Sequence, residues 1–276
     1  MLTVTLLGTG SPLPDPHRAG PATLITCEAG RYLVDAGRGV LMRLAEAGLM
    51  ATQLDAVFLT HLHSDHFTDL NDIITTRWVL STTALPLTLV GPPGTRKVVD
   101  HLLASLAPDI NYRLTHHGDL HEPPQVNVIE ISEGPVPLPG EVAIRCAPTD
   151  HKPVEPSIGF RFDYGGASVV AAGDTIPCAG LDDLCRGAGA LVHTVIRKDV
   201  IERIPSQRLR DTMDYHSSPA EAAQTAENNG VATLILTHYV PAMRPGGEEE
   251  WRALAAAHFS GRIELGDDLL RVEVKP

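Results

Sequence analysis

A cluster of three histidines and one aspartate, H-L-H-S-D-H at residues 61–66, constrains the fold of this chain more than any other feature. The cluster directly follows the short apolar run 55–60, which predicts a buried strand. In open α/β sheets, ligands bind at the carboxyl ends of the strands. The sequence therefore predicts an α/β sheet with a functional site at that edge, because core packing does not require so many nitrogen and oxygen donors within six residues.

Apolar periodicity predicts strands and helices throughout the chain. We expect an antiparallel meander over 2–34, and a helix over 95–106 that is followed by a polar, Pro-rich connection over 112–125. A second half then begins with a strand near 126–131. Each half places strands first and helices later, and each contains an apolar strand that ends in Thr-His. The pattern indicates two related layers facing each other within a single domain, residues 1–276.

The composition excludes several function classes. The chain carries 22 Lys and Arg residues against 34 Asp and Glu residues, a formal charge of −12, which disfavours non-specific coating of DNA or RNA. No apolar run is long enough to cross a bilayer, and no secretory signal is expected. The four cysteines are widely spaced without a C-x-x-C pair. They predict reduced thiols in a cytoplasmic protein rather than disulfides or a thiolate zinc site.

The donor types in the cluster are those of a metal site. Imidazole suits zinc, and carboxylates suit borderline and harder metals. His61 and His63 can face one point while Asp65 and His66 turn towards another, so the spacing allows two metal ions. Two ions need more donors from elsewhere in the chain. Three candidates follow predicted strands: His151, Asp174 and His238.

Six motifs in the same chain order resemble the metallo-β-lactamase superfamily and, within it, the ribonuclease Z-like phosphodiesterases. They are LLGTGS at 6–11, THLHSDH at 60–66, PSIGFRF at 156–162 after the His151 segment, AAGDT at 171–175, HSS at 216–218 and LTH at 236–238. The resemblance spans almost the whole chain. It implies an α/β fold of the metallo-β-lactamase type, a four-layer αβ/βα sandwich with the site along the edge between two sheets.

The resemblance also implies a ligand set and an activity. One zinc ion would be held by His61, His63 and His151, the second by Asp65, His66 and His238, with Asp174 bridging the two; Mn²⁺ is the alternative metal. The implied activity is phosphodiester hydrolysis, with endonucleolytic 3′ processing of precursor tRNA as the family reaction. Two zinc ions would lower the pKa of a shared water and generate the attacking hydroxide. Asp65 is expected to accept a proton, and His216 to donate a hydrogen bond or proton to the phosphate or leaving oxygen.

The chain departs from the family pattern at two places. The family commonly has His-Glu where this chain has His193-Thr194, so we expect His216 to lose the partner that orients it. Asp174 follows His151 by only 23 positions, which leaves no room for the long arm with which bacterial members commonly grip tRNA. Precursor tRNA would then rest on a basic segment as the best candidate for phosphate contacts: Arg197, Lys198, Arg203, Arg208 and Arg210.

Three other functions stay open. A small-molecule phosphodiesterase, or a hydrolase of a lactone, thioester or sulfate ester, could use the same metal site without processing tRNA. A di-iron redox protein is the third, although such centres generally replace the second motif histidine with a carboxylate and His63 is present here. The family resemblance also leads us to expect a homodimer, and the lack of a long apolar run leads us to expect no membrane partner.

Overall fold

The computed structural model describes residues 1–244 and 246–276. Its strands are β1 (Leu2–Gly8), β2 (Ala22–Cys27), β3 (Gly30–Val34), β4 (Ala56–Phe58), β5 (Leu87–Gly91), β6 (Val126–Glu130), β7 (Gly134–Pro135), β8 (Ala143–Pro148), β9 (Ile158–Tyr164), β10 (Ala167–Ala171), β11 (Ala190–Ile196), β12 (Thr233–Val240), β13 (Arg262–Glu264) and β14 (Arg271–Val274). Its α-helices are α1 (Val40–Glu46), α2 (Leu70–Val79), α3 (Thr95–His116), α4 (Ala179–Cys185), α5 (Lys198–Ile201), α6 (Gln207–Asp211), α7 (Pro219–Asn228) and α8 (Glu248–Ala256).

The strands form two seven-stranded sheets of similar design. The order is β14-β1-β2-β3-β4-β5-β6 in the first sheet and β13-β12-β11-β10-β9-β8-β7 in the second. In the first sheet, pairing is antiparallel from β14 to β3 and parallel from β3 to β6. In the second, it is antiparallel from β7 to β10 and parallel from β10 to β13. The antiparallel meander expected over 2–34 is therefore confirmed.

Three apolar layers hold the sheets and helices together. Between the sheets, the rings of Phe58 and Phe160 lie 5.1 Å apart edge to face, and Phe162 packs on Phe58 at the same distance. Helices α1, α2 and α3 cover the outer face of the first sheet, and α4, α7 and α8 cover that of the second. This order of helix, sheet, sheet and helix confirms the four-layer αβ/βα sandwich.

Two expectations about the middle of the chain were wrong. The helix predicted over 95–106 continues as α3 to His116, with Pro108 inside it, so the first part of the expected connection over 112–125 is helical. The strand β6 belongs to the first sheet, not to the second half. The second sheet begins only at β7, a two-residue strand with no periodicity to reveal it.

The parallel strands bring their carboxyl ends to one edge, where the two sheets meet. A hydrogen bond from the backbone N–H of Ile158 to the carbonyl of Thr60 (2.9 Å) links the sheets there. Gly173 also lies against Thr60: its φ is +67°, and an added Cβ would lie 2.7 Å from the Thr60 Cβ. Only glycine fits both conditions. The close contact at Gly173 brings the loop after β10 against the loop after β4.

None of the helices in the part of the chain that the structure describes is both long enough and apolar enough to span a membrane.

Candidate active site

Seven histidine and aspartate donors gather at this edge in two groups. The first group contains His61, His63, His151 and Asp174, and the second group contains Asp65, His66 and His238. Within each group the potential ligand atoms all lie within 4.8 Å of one another. The structure thus brings together every residue that the sequence predicted as a metal ligand.

The first group joins loops from both sheets. His61 and His63 follow β4 of the first sheet, whereas His151 follows β8 of the second. The Nδ1 atom of His63 lies 3.0 Å from Nε2 of His61 and 3.3 Å from Nε2 of His151. Ligand nitrogens of a tetrahedral zinc with bonds of 2.0–2.1 Å are about 3.3 Å apart, so these three nitrogens have suitable spacing for one ion.

The second group meets the first at Asp174. His238 Nε2 lies 3.4 Å from Asp65 Oδ2 and 3.6 Å from Asp174 Oδ2. His66 Nε2 lies 3.6 Å from the same Asp65 oxygen and 3.4 Å from the same Asp174 oxygen. His61 Nε2 also lies within 3.9 Å of Asp174 Oδ2. A single carboxylate oxygen is therefore close to nitrogens of both groups.

Contacts behind the candidate ligands fix their ring orientations. His151 donates from Nδ1 to the carbonyl of Tyr215 (2.9 Å). His66 Nδ1 lies 2.8 Å from Oδ2 of Asp35, and His61 Nδ1 lies 3.1 Å from Oγ1 of Thr60. With Nδ1 protonated in each, the Nε2 lone pair faces the other donors. Such outer partners fix the tautomer of metal-ligating histidines.

Sequence reasoning missed Asp35. Its carboxylate is buried and accepts hydrogen bonds from the backbone N–H and the hydroxyl of Thr60 (2.9 Å each) besides facing His66. The residue has φ +62°, a strained backbone for a non-glycine residue. One signal was available, because Asp35 directly follows β3, a parallel strand beside β4.

Burial lowers the pKa of all three histidines in the first group. The pKa of His61 lies well below its usual value, that of His63 is also lowered, and that of His151 falls to about 4. Histidine binds a metal in its neutral form. These side chains are therefore in the ligating state at neutral pH.

Carboxylates dominate the second group. Burial opposes protonation of His66, but the charges of Asp174, Asp35 and Asp65 raise its pKa well above the usual value. Burial likewise opposes protonation of His238, yet Asp174 and Asp65 raise its pKa. Since a metal binds the neutral ring, a metal ion at this group would release protons, and its binding would be favoured as the pH rises.

The donor set fits bound cations. His66 Nε2 and Asp174 Oδ1 are buried without a hydrogen-bond partner among residues 1–244 and 246–276, an arrangement that costs stability unless another group satisfies them. The Asp174 carboxyl is buried, which favours its neutral form, but His238 and His66 hold its pKa well below the usual value. A buried anion surrounded by imidazole nitrogens matches the ligands of zinc and similar divalent metals.

His216 lies beside the two groups and is oriented, contrary to expectation. Its Nδ1 donates to the carbonyl of Thr212 at 2.9 Å, and its Nε2 lies 3.2 Å from Asp174 Oδ2. A backbone carbonyl thus takes the place of the missing glutamate. Thr194, at the family's glutamate position, instead donates its hydroxyl to the carbonyl of Gly173 (3.0 Å) and so holds the loop that carries Asp174.

The basic segment is divided in its exposure and pairing. Arg197 forms ion pairs with Asp199 (2.8 Å) and Glu250 (3.1 Å), and Lys198 is paired with Glu221 at 2.8 Å. Arg203 and Arg208 are exposed on the segment that leads towards His216. The surface available to phosphates in this segment is therefore smaller than the run of basic residues suggested.

Comparisons with known proteins agree with the fold. Residues 30–239 match the family model described as the Beta-lactamase superfamily domain. A protein of Mycolicibacterium paratuberculosis named Ribonuclease Z is 60% identical over 276 residues, which cover 99% of each chain. Another Ribonuclease Z, from Mycobacterium bovis, is 59% identical and covers 100% of this chain and 99% of its own.

Solved structures share the fold at lower identity. The metallo-β-lactamase fold protein YhfI from Bacillus subtilis is similar with a TM-score of 0.77 and 22% identity over 98% of both chains. The short form of human tRNase Z has a TM-score of 0.73 and 23% identity over 99% of this chain and 100% of its own. With a family model matched over most of its length and full-length relatives at about 60% identity, the chain belongs to the ribonuclease Z family of the β-lactamase superfamily.

Proposed function

We propose that the protein is a dinuclear zinc-dependent phosphodiesterase of the ribonuclease Z type, which cleaves precursor tRNA endonucleolytically at its 3′ side. One observation carries this proposal: seven donors in two groups meet around Asp174 in a chain 60% identical to a Ribonuclease Z over its whole length. Family membership makes the chain a metal-dependent hydrolase, and the remaining steps concern its metals, residues and substrate.

The proposed metal ligands are those two groups. His61, His63 and His151 would hold one ion, Asp65, His66 and His238 the second, and Asp174 both. The predominance of imidazole favours zinc, with Mn²⁺ as the alternative. Two bound divalent cations supply positive charge for the attacked phosphate and lower the pKa of a water molecule at the site.

The chain's own groups would move the protons. Asp65 is buried, which favours its neutral form, but His66 and His238 lower its pKa, so it is ionised at neutral pH and able to accept a proton from the attacking water. His216, with its ring fixed by Thr212, would donate a proton or hydrogen bond from Nε2 to the phosphate or leaving oxygen. A protonated leaving group departs more easily than an alkoxide.

Precursor tRNA as substrate is supported by the relatives rather than by net charge. The alignment with the protein of M. paratuberculosis covers 99% of both chains, which leaves no room for a long inserted arm in either. A protein named Ribonuclease Z therefore has about the same length as this chain. Arg203 and Arg208, exposed before His216, are the proposed phosphate contacts.

A small-molecule phosphodiesterase is the second candidate. The short interval between His151 and Asp174 and the charge of −12 favour it, because both weaken a grip on RNA. No feature of this site favours hydrolysis of a lactone, thioester or sulfate ester, or a di-iron redox role, over phosphodiester hydrolysis.

The test compares kcat/KM of the zinc-loaded protein on a precursor tRNA and on a chromogenic bis-aryl phosphodiester. Correctly placed 3′ cleavage of the tRNA would support the first candidate, and turnover of the aryl ester alone would support the second. Asp174→Asn should lower kcat/KM by about 10³-fold or more on either substrate, because both ions lose a ligand. Full activity of a folded Asp174→Asn variant would contradict both candidates.

Two further proposals concern the protein as a whole. We propose a cytoplasmic location, supported by four cysteines that are all free. A homodimer stays a prediction from the family, and sedimentation velocity of the metal-loaded protein would test it.

A further inference from the structure

The backbone of His238 is held in an unusual conformation from outside the site. His238 has φ +57°, in the left-handed region that non-glycine residues rarely adopt. Such strain persists only where the surroundings enforce it. The next residue, Tyr239, donates its backbone N–H to the carbonyl of Thr9 at 3.2 Å. The Thr9 carbonyl therefore helps to hold the turn that directs the His238 ring into the second group.

Thr9 is itself held by Asp268. Oδ1 of Asp268 accepts hydrogen bonds from the backbone N–H of Thr9 (2.9 Å) and from its hydroxyl (2.8 Å). The Thr9 hydroxyl also accepts from Nη1 of Arg18 (2.6 Å), whose guanidinium lies 5.1 Å from the centre of the Tyr239 ring. Asp268 and Arg18 thus hold the loop at Thr9, and Arg18 also contacts the Tyr239 ring.

The second oxygen of Asp268 leads to the other part of the second group. Oδ2 accepts from the backbone N–H of Ala19 at 2.7 Å. The residue after Ala19 donates to the carbonyl of Arg38 (2.7 Å). Two residues before Arg38, Ala36 donates to the carbonyl of His66 at 2.7 Å. Three hydrogen bonds, joined by short stretches of backbone, therefore connect Asp268 with the loop that carries Asp65 and His66.

Asp268 is built into this position. Its side chain is only 4% exposed, and Nε of Arg43 lies 2.9 Å from Oδ2, so its two oxygens accept four hydrogen bonds in all. A buried carboxylate that accepts this many hydrogen bonds is held firmly, and an amide, which donates from one of its two terminal atoms, cannot accept all of them. Its position between β13 and β14 places it on neither metal group.

We propose that Asp268 is a positioning residue for the second group: one oxygen fixes the backbone at His238 through Thr9, and the other fixes the loop of Asp65 and His66 through Ala19. The inference rests on the proposed function in that it takes the second group as a metal site. Loss of the carboxylate should weaken the ion held by Asp65, His66 and His238 and leave the ion of the first group in place.

The experiment measures zinc affinity rather than catalysis. Metal-loaded wild type and Asp268→Asn are titrated with a chromogenic chelator, and each zinc equivalent is assigned by comparison with His238→Ala, which lacks a ligand of the second group. We expect one equivalent to bind roughly 10–100-fold more weakly in Asp268→Asn, as for other partners behind metal ligands, and the other to change less than about 3-fold. Glu273→Gln, which removes an exposed carboxylate on β14, is the charge-matched control.

A folded Asp268→Asn with both equivalents at wild-type affinity would overturn the proposal, and so would equal weakening of both equivalents or the same loss in Glu273→Gln. If Asp268→Asn does not fold, the zinc affinities of Thr9→Val and Thr9→Ser test the proposal instead. Valine removes the hydroxyl and should weaken the same equivalent several-fold, whereas serine should rescue it. Equal affinities in these two variants would count against the proposal.

A wild type that holds two zinc ions and cleaves neither phosphodiester would refute the proposed function alone, and one that holds none would refute both.

Discussion

Asp35 and Asp268 illustrate how residues outside the motif control the residues within it. The histidine motif was recognisable because its donors are adjacent in sequence, and all of them reach the site. Asp35 and Asp268 stand alone in sequence, and their roles depend on contacts with His66 and Thr9 that only the folded chain makes. The sequence thus predicted the donors but not the groups that orient them.

Replacing Asp35 with Asn should weaken metal binding while leaving the fold intact. The amide keeps the shape but loses the negative charge that faces Nδ1 of His66, so we expect roughly 10–100-fold lower zinc affinity. Chelator competition measures the change. Asp100→Asn, an exposed carboxylate on α3, should leave affinity as it is, and an Asp35→Asn protein with wild-type affinity would contradict the assigned role.

His216→Gln should separate proton donation from binding. We expect kcat on precursor tRNA, which has a poor leaving group, to fall about 10²–10³-fold. Turnover of an aryl ester should fall less than about 10-fold, because its leaving group needs no proton. Steady-state kinetics on both substrates measure the difference, with exposed His258→Gln as the control. Equal losses on the two substrates would mean that His216 does not donate the proton.

At the scale of elements, local signals decide what a sequence can predict. Helix α7 carries such signals, because Ser218 caps it, Pro219 occupies its first turn and Glu221 completes a capping box. Helices α5 and α6, of four and five residues, are too short to show a period and were not predicted. Helix α3 is longer than predicted for a different reason. Proline normally ends a helix, yet α3 continues past Pro108 to His116.

Ser218→Ala should destabilise the protein by about 1 kcal/mol, because the hydroxyl accepts from the backbone N–H of Glu221 (3.2 Å) at the first turn of α7. Urea unfolding of the metal-free protein measures this change. Ser105→Ala, on the exposed side of α3, is a serine within a helix and should change stability by less than about 0.5 kcal/mol. Similar losses in the two variants would contradict a capping effect.

For the whole molecule, the arrangement of the sheets was predictable from family resemblance and not from periodicity. Strand and helix patterns placed β6 in the wrong half, because a strand's own residues do not specify which sheet it joins. His151 and Asp174 could be matched with the first histidines only through motif order, since pairing of β8 with β9 and of β9 with β10 in the second sheet brings them together. Long-range contacts of this kind leave no local pattern.

The free energy of unfolding should decrease as the pH falls, because of His193, which is fully buried. Burial lowers its pKa to about 4, below the ordinary 6.5, so its contribution is present above about pH 6.5 and is lost as the pH falls towards 4. Between pH 7 and 5, wild type should lose about 2 kcal/mol more unfolding free energy than His193→Asn, whose amide can still donate to the Thr194 carbonyl. Urea titrations of the metal-free proteins test this, and equal losses would contradict it.

Strand β14 lies beside β1, so that Leu2 is paired with Val274 across nearly the whole sequence. On the ribosome, β1 emerges long before its partner is made and its free edge stays open meanwhile. A nascent chain that stops before residue 262 lacks both this partner strand and Asp268. Translation must therefore proceed through β14 before this edge of β1 is paired, and prematurely terminated chains expose the unpaired strand edge to chaperones and proteases.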